Sequence, residues 1–324
     1  MEAFENNLSL IDPDINHFNM HIDFQTHSIE SFIEKQDIEP KSLKIMHHNA
    51  RSLMSSGKMD QYDVFFQALK YPFDILVFTE TWLTQDNSDL CKFSGFQNPE
   101  HLLRPSDDII DFKTKGGGIS IFVKVNIKYE CRNDLTVMLP LIECSFIEIE
   151  FNYQKYLIGG IYRIPNTSID LFIDQLNSII EPLKSSHKII LLGDYNIDLL
   201  KNDSNKNNFE ICLQSHYLVP TIFSATRVAT KKQNGQETTS KTLIDNIFIN
   251  HNINYQSGII ESTISDHYPI YIIIPELAGI SKTKHNSVQY RLINELRQRK
   301  FNNELNQSEI KQVLNNNIAE SAYE

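Results

Sequence analysis

Five short polar clusters interrupt the apolar runs of this 324-residue chain: Asn49, Thr79-Glu80-Thr81-Trp82, Tyr162-Arg163, Gly193-Asp194-Tyr195-Asn196 and Ser265-Asp266-His267. Carboxylates, carboxamides and one histidine gathered in one place suit a hard divalent cation and an in-line attack on a phosphate ester. Such a cation takes oxygen ligands, and histidine titrates near working pH. Each cluster sits at or just past the C-terminal end of a stretch that reads as a strand, so a folded sheet would collect them along one rim.

In Gly193–Asn196 an extended backbone would put Asp194 and Asn196 on one side. The carboxylate could then handle a proton while the carboxamide donates to a phosphate oxygen. Gly, Asp and Asn also dominate ordinary turns, which is the competing reading. In Ser265-Asp266-His267, Asp266 is a candidate metal ligand, and His267 would engage the phosphate or the attacking water. An oriented imidazole needs a carboxylate on its other nitrogen, and Asp245 is the candidate. Trp82, the single tryptophan, is expected to anchor the loop of Glu80. Taken singly, Glu80 reads as surface, Asn49 as a strand-end turn and Tyr162-Arg163 as a sheet edge. Their joint order argues for a site.

The elements that must position these residues follow from hydrophobic period. Leu43 to Asn49 and Asp74 to Thr79 read as strands, and Asp60 to Lys70 as a helix with Val64, Phe65 and Leu69 on its apolar face. Gly116-Gly117-Gly118 enters a strand from Ile119 to Lys124 and predicts positive φ or close backbone approach. No Gly-Lys-Ser/Thr and helix follow, so it is not a phosphate-binding loop of that type. Ile142 to Phe151 alternates as an antiparallel strand with a bulge expected near Phe146, and Tyr156 to Tyr162 is its hairpin partner. Ser168 to Lys184 is the clearest helix, with Ile169, Phe172, Ile173, Leu176, Ile179, Ile180 and Leu183 in one stripe, capped by Ser168 and ended near Pro182. A strand from Lys188 to Leu192, a helix from Asn205 to Leu218 and strands at Leu243–Asn250, Tyr255–Ile260 and Tyr268–Ile274 complete a mixed α/β domain.

Composition sets the boundaries. An apolar share of 41% is ample for a core. Residues 1–40 hold nine acidic side chains and one basic, and read as a disordered arm; residues 41–276 form the domain, and 277–324 a polar tail with a helix expected from Gln289 to Arg299. Charge therefore neither announces nor excludes nucleic acid. The four cysteines, Cys91, Cys131, Cys144 and Cys212, lack paired spacing and read as reduced thiols of a soluble, intracellular monomer, with no membrane partner expected.

The ordered series Asn49-Ala-Arg-Ser-Leu, Thr79-Glu80-Thr81-Trp82-Leu83, Gly116-Gly117-Gly118, Tyr162-Arg163, Gly193-Asp194-Tyr195-Asn196, Thr226-Arg227, Leu243-Ile244-Asp245 and Ser265-Asp266-His267 resembles the endonuclease/exonuclease/phosphatase (DNase-I-like) superfamily. Within it, residues 43–275 look most like the apurinic-type endonuclease domain of non-LTR retrotransposons. The resemblance implies a four-layered α/β sandwich, Mg²⁺ or Mn²⁺, and nicking of DNA for target-primed reverse transcription, with a reverse transcriptase and element RNA as partners and access to the nucleus. It implies that Glu80 binds metal with Asn49 and Asp266, and that Asp194 handles the proton. Asn196 and Tyr162 would hold the phosphate, and Asp245 would orient His267. Thr226 and Thr242 would be supporting or DNA-contacting hydroxyls, and Arg163, Arg227, Lys231 and Lys232 would meet substrate, the last three on a basic hairpin over 227–241. Repair-type relatives carry an acidic residue two positions after the Asn; here it is Arg51, and one metal ligand is lost. The competing functions are a phosphodiesterase or phosphatase acting on RNA or lipid headgroups, and a decayed binding domain.

Overall fold

The computed structural model describes residues 20–34, 42–70, 72–104, 116–183, 188–233, 236–250, 255–275 and 286–288. The helix expected at Gln289–Arg299 lies outside them. The chain runs through β1 (Met20–His27), α1 (Ile29–Glu34), β2 (Leu43–Asn49), α2 (Lys58–Ala68), β3 (Ile75–Thr79), β4 (Glu100–Leu102) and β5 (Ile119–Val123). Next come β6 (Tyr129–Cys131), β7 (Val137–Met138), β8 (Ile142–Phe151), β9 (Gln154–Arg163), α3 (Ile169–Ile180), β10 (Lys188–Asp194) and α4 (Ser204–Ser215). It ends with β11 (Val219–Pro220), β12 (Arg227–Gln233), β13 (Gln236–Thr242), β14 (Asp245–Ile249), β15 (Tyr255–Ile260), β16 (Ile270–Ile274) and β17 (Asn286–Val288).

Two sheets form, ordered β17-β1-β15-β16-β2-β3-β5-β4 and β11-β14-β10-β9-β8-β6, with β7 beside β8 and β12-β13 a separate hairpin. Side-chain alternation decides how they stack. On β2 and β16, Leu43, Ile45, Ile270, Ile272 and Ile274 enter the core between the sheets, whereas Met46, Tyr271 and Ile273 face a second core under α1 and α2. Phe172 and Leu176 of α3 and Phe209 and Leu213 of α4 close the outer face of the other sheet. The result is a four-layered α/β sandwich. Strands covered on both faces read as continuous apolar runs, which is why β3 and β10 were legible as strands. Ser168 caps α3, its Oγ accepting from the Leu171 N–H at 3.4 Å. Among the described residues no helix is long and apolar enough to cross a membrane, and the four cysteines are free.

Three expectations need correction. Part of the acidic arm is ordered: β1 pairs parallel with β15, and Phe32 of α1 stacks on Phe73 with ring centroids 6.0 Å apart. Residues 1–40 show no sustained hydrophobic period, so the strand was not legible locally; its pairing with β15 makes it. β8 and β9 keep an unbroken register from Ile142↔Arg163 to Phe151↔Gln154, so there is no bulge at Phe146. On α2, Phe65 is buried, as is Leu69 just after it, in line with expectation, but Val64 is 66% exposed, and Tyr62 and Phe66 are buried in its place.

Candidate active site

The rim at the C-terminal ends of β2, β3, β9 and β10 carries the first part of the site. Asn49 closes β2 on the face turned toward the other sheet, and it is fully buried. Its Nδ2 donates to Glu80 Oε1 at 2.9 Å and to Asp194 Oδ2 at 2.8 Å, tying the two sheets together. The Tyr162 hydroxyl, from the end of β9, donates to the same Glu80 oxygen at 3.1 Å. Glu80 and Trp82 have φ of 49° and 53°, and Gly116, Gly117 and Gly118 all have positive φ. The glycines hold this loop: the N–H groups of Thr81 and Trp82 donate to the carbonyls of Gly118 and Gly117 at 3.2 and 3.0 Å. A Cβ on Gly118 would lie 2.6 Å from Thr81 Oγ1. Left-handed backbone at non-glycine residues costs about 1–3 kcal/mol each, and here it is concentrated at the rim.

The second part assembles around Asp245. Asp194 and Asp245 are paired across β10 and β14. His267 Nδ1–H donates to Asp245 Oδ2 at 2.8 Å, and the Thr226 hydroxyl donates to the same oxygen at 2.8 Å. One ligand atom each of Asp194, Asp245 and His267 lies within 4.8 Å of the others, and all three residues are buried. Burial, with Asp245 beside it, pushes the Asp194 carboxyl up to about 7. Burial works against the His267 cation, but the Asp245 carboxylate outweighs it and raises His267 to about 9. For Asp245, burial opposes ionisation and the His267 charge overcomes it, so its pKa is lowered.

The loop bearing His267 is braced from below. His48 points from β2 to the opposite face from Asn49, and its Nε2–H donates to the His267 carbonyl at 2.9 Å. The Tyr62 hydroxyl of α2 lies 2.8 Å from His48 Nδ1. A carbonyl only accepts, so Nε2 carries the proton and Tyr62 is the donor to Nδ1. Burial depresses the pKa of His48 to about 3, in keeping with a neutral ring. The Ser265 hydroxyl donates to the Asn49 carbonyl at 2.9 Å and accepts from the His267 N–H at 3.0 Å.

Residues 156–271 match the family described as "Endonuclease-reverse transcriptase". The solved endonuclease domain of TRAS1, a telomere-specific non-LTR retrotransposon, is 13% identical, with a TM-score of 0.53 over 73% of this chain and 100% of that one. An endonuclease/exonuclease/phosphatase family protein from Leptotrichia buccalis C-1013-b is 17% identical, with a TM-score of 0.51 over 72% of this chain and 99% of that one. D. rerio TDP2, solved with a single-strand DNA product, is 16% identical, with a TM-score of 0.52 over 72% and 99%. No curated protein sequence matches the chain. The chain has the endonuclease/exonuclease/phosphatase fold.

This superfamily implies a divalent cation. The donors at the rim of the endonuclease/exonuclease/phosphatase fold fit one: Glu80 and Asp194 offer carboxylate oxygen, the ligand type of a hard ion, and the Asn49 carboxamide, whose Nδ2 faces both carboxylates, would offer its Oδ1 on turning over. A cation there would also relieve the burial that raises Asp194. Asp266 does not join this set. Its carboxylate accepts from Arg51 Nη1 at 2.9 and 2.8 Å and from Arg227 Nε at 2.8 Å. Burial raises its pKa, but those guanidiniums together with the His267 charge more than reverse the effect and bring it to about 2.

Asn49, Glu80, Tyr162, Asp194, Asp245, His267 and Thr226 thus converge as the sequence led us to expect. Others do not. Asn196 has φ 48°, so the segment is not extended there; its N–H donates to Asp194 Oδ1 at 2.9 Å and its Nδ2 to the Arg163 carbonyl at 2.8 Å. Arg163 is 3% exposed and donates to the carbonyls of Asn196 and Thr167, so it braces the loop from inside. Trp82 is 37% exposed and anchors less than expected. Thr242 pairs with Arg227 at the base of the hairpin. Lys231 and Lys232 lie on β12, outside the residues whose side chains are described. Sequence reading missed His48, Tyr62 and Arg51 as parts of the site. The usable signal was that His48 and Arg51 flank Asn49 within two residues.

Proposed function

We propose that this protein is a Mg²⁺-dependent endonuclease that hydrolyses DNA phosphodiester bonds, making the nick from which a reverse transcriptase primes. The observation that carries the reading is the buried Asp194–Asp245–His267 cluster, joined through Asn49 to Glu80. Its support as a nuclease rather than a general phosphatase is the endonuclease-reverse transcriptase match over residues 156–271.

Mg²⁺, held by Glu80, Asn49 and Asp194, would supply charge to the phosphate oxygens. The remaining chemistry belongs to the chain. Asp194 takes a proton from the water whose oxygen attacks phosphorus. His267, held cationic by Asp245, offers Nε2–H to the charge that develops on the phosphate. The bond from phosphorus to the 3′ oxygen breaks, that oxygen takes a proton from solvent while Asp194 returns its own to solvent, and a 3′ hydroxyl and a 5′ phosphate result. Tyr162, fixed on Glu80, positions the phosphate. The DNA would be chromosomal, which requires access to the nucleus.

Nicking of supercoiled plasmid in Mg²⁺ and in EDTA tests this, with Asp194→Ala and His267→Ala folded to the same extent as wild type. Metal-dependent nicking lost in both variants is the expected result. A folded wild type that leaves the plasmid intact overturns the reading.

A further inference from the structure

Asp266 is surrounded by cations. Arg51 uses Nη1 alone on its two oxygens, and Arg227 uses Nε alone. Lys58, whose Nζ donates to the Ile264 carbonyl at 2.5 Å, is close enough to feel the charges of both Arg51 and Asp266. One carboxylate thus faces three basic side chains, in addition to the charge of His267. A divalent ion at Asp266 would have to displace two guanidiniums and stand against all three charges, which Coulomb repulsion disfavours.

The same contacts leave the arginines equipped for another task. A guanidinium has five N–H donors in a planar fork. With one nitrogen each on Asp266, both keep donors uncommitted among the described residues. The side chains are 46% and 35% exposed, so solvent and ligands reach them. Their position is fixed twice over: Arg227 bridges to the His267 backbone, and Arg51 has φ 46° with its N–H on Asn49 Oδ1 at 3.2 Å. Arg51 also lies within the field of Glu80 and Tyr162, at the border of the reacting cluster.

We infer that Arg51 and Arg227 form a two-guanidinium clamp, oriented by Asp266, for a backbone phosphate of the DNA strand next to the one that is cut. The inference rests on the nuclease reading and adds a residue, Arg51, that sets how the strand is held. A phosphodiester presents two non-bridging oxygens that match a guanidinium fork, and the excess of positive charge is of the right sign. Asp266 is a positioning residue here: it holds the two forks in place and leaves the metal to Glu80, Asn49 and Asp194.

The test is fluorescence anisotropy of the full chain on a short DNA duplex in EDTA, across a salt titration, alongside plasmid nicking in Mg²⁺. Arg51→Gln should lower affinity about tenfold and reduce the slope of log K against log salt by about 0.9, one phosphate contact. Arg51→Lys should keep the slope and lose part of the affinity, because the charge stays and the fork goes. It carries the test if the Gln variant does not fold. Calorimetric Mg²⁺ binding by Asp266→Asn should match wild type. A wild type that nicks, with Arg51→Gln and Arg51→Lys unchanged in affinity and slope, overturns the clamp alone. Mg²⁺ affinity lost in Asp266→Asn makes Asp266 a metal ligand and also overturns it. A wild type that neither binds nor nicks DNA removes the nuclease reading and the clamp together.

Discussion

Asp245 and Asp266 both act on the charge of His267, and each is ion-paired, yet their pairs are built for different ends. The Asp245–His267 pair is sealed, with side-chain exposures of 1% and 4%. The Asp266–Arg51 pair is open, at 20% and 46%. In the sealed pair the low dielectric makes each charge depend on the other, so the pair sets a protonation state. In the open pair water screens the charges, little stability is gained, and the spare donors remain available to a ligand. Burial, not residue type, separates the proton-holding carboxylate from the one that orients a binding surface.

The largest effect that would sharpen this contrast is on catalysis. Asp194→Ala and His267→Ala should each cut the nicking rate by about a thousandfold or more, read from single-turnover plasmid assays. Stability comes next. Asp245→Asn leaves His267 without its counter-charge in a buried site and should cost about 3 kcal/mol, whereas Asp266→Asn should cost less than about 1 kcal/mol. Equal losses in denaturant melts would break the distinction between sealed and open pairs.

That stability difference should also depend on pH. The folded pKa of His267, about 9, is above its unfolded value of about 6.5. Its contribution is therefore complete below about pH 6.5 and lost as pH rises through 9. Asp245 is shifted down, so its contribution is present above about pH 4 and lost on acidification. Metal-free wild type should exceed Asp245→Asn most between about pH 4 and 6.5, with the gap closing toward pH 10. A gap constant from pH 5 to 10 would contradict the assignment.

Between the costs of Asp245→Asn and Asp266→Asn lies Tyr62→Phe, which strips the donor from a buried imidazole nitrogen and should cost about 1–3 kcal/mol. Because His48 braces the His267 loop, this variant should also slow nicking; unaltered kinetics would confine Tyr62 to the core. Ser168→Ala should cost about 1 kcal/mol from the lost cap of α3, with nicking untouched.

Much of this was legible before folding. The stripe of Phe172, Leu176 and Ile180 predicted α3 and its cap, and the apolar runs predicted β2, β3, β10 and β16, because hydrophobic period is written locally. The order of Asn49, Glu80, Tyr162, Asp194, Asp245 and His267 was equally visible. What escaped were details of direction and partnership. Asn196 has left-handed rather than extended backbone, and its carboxamide donates to the Arg163 carbonyl. Arg163 was expected to meet substrate, yet its guanidinium lies inward on loop carbonyls, and no pattern in Tyr162-Arg163 announces that.

The sequence by itself determined the strands, the helical stripe and the rim order, since these depend on neighbours within a few residues. Only the tertiary structure decided what each polar residue touches. Asn49 meets Asp194 across 145 positions, His48 meets the His267 carbonyl across 219, and Arg51 takes Asp266 across 215. Such pairings depend on how two sheets stack and on which side chains that stacking buries. Burial in turn sets whether a carboxylate governs a proton or presents a guanidinium to a ligand.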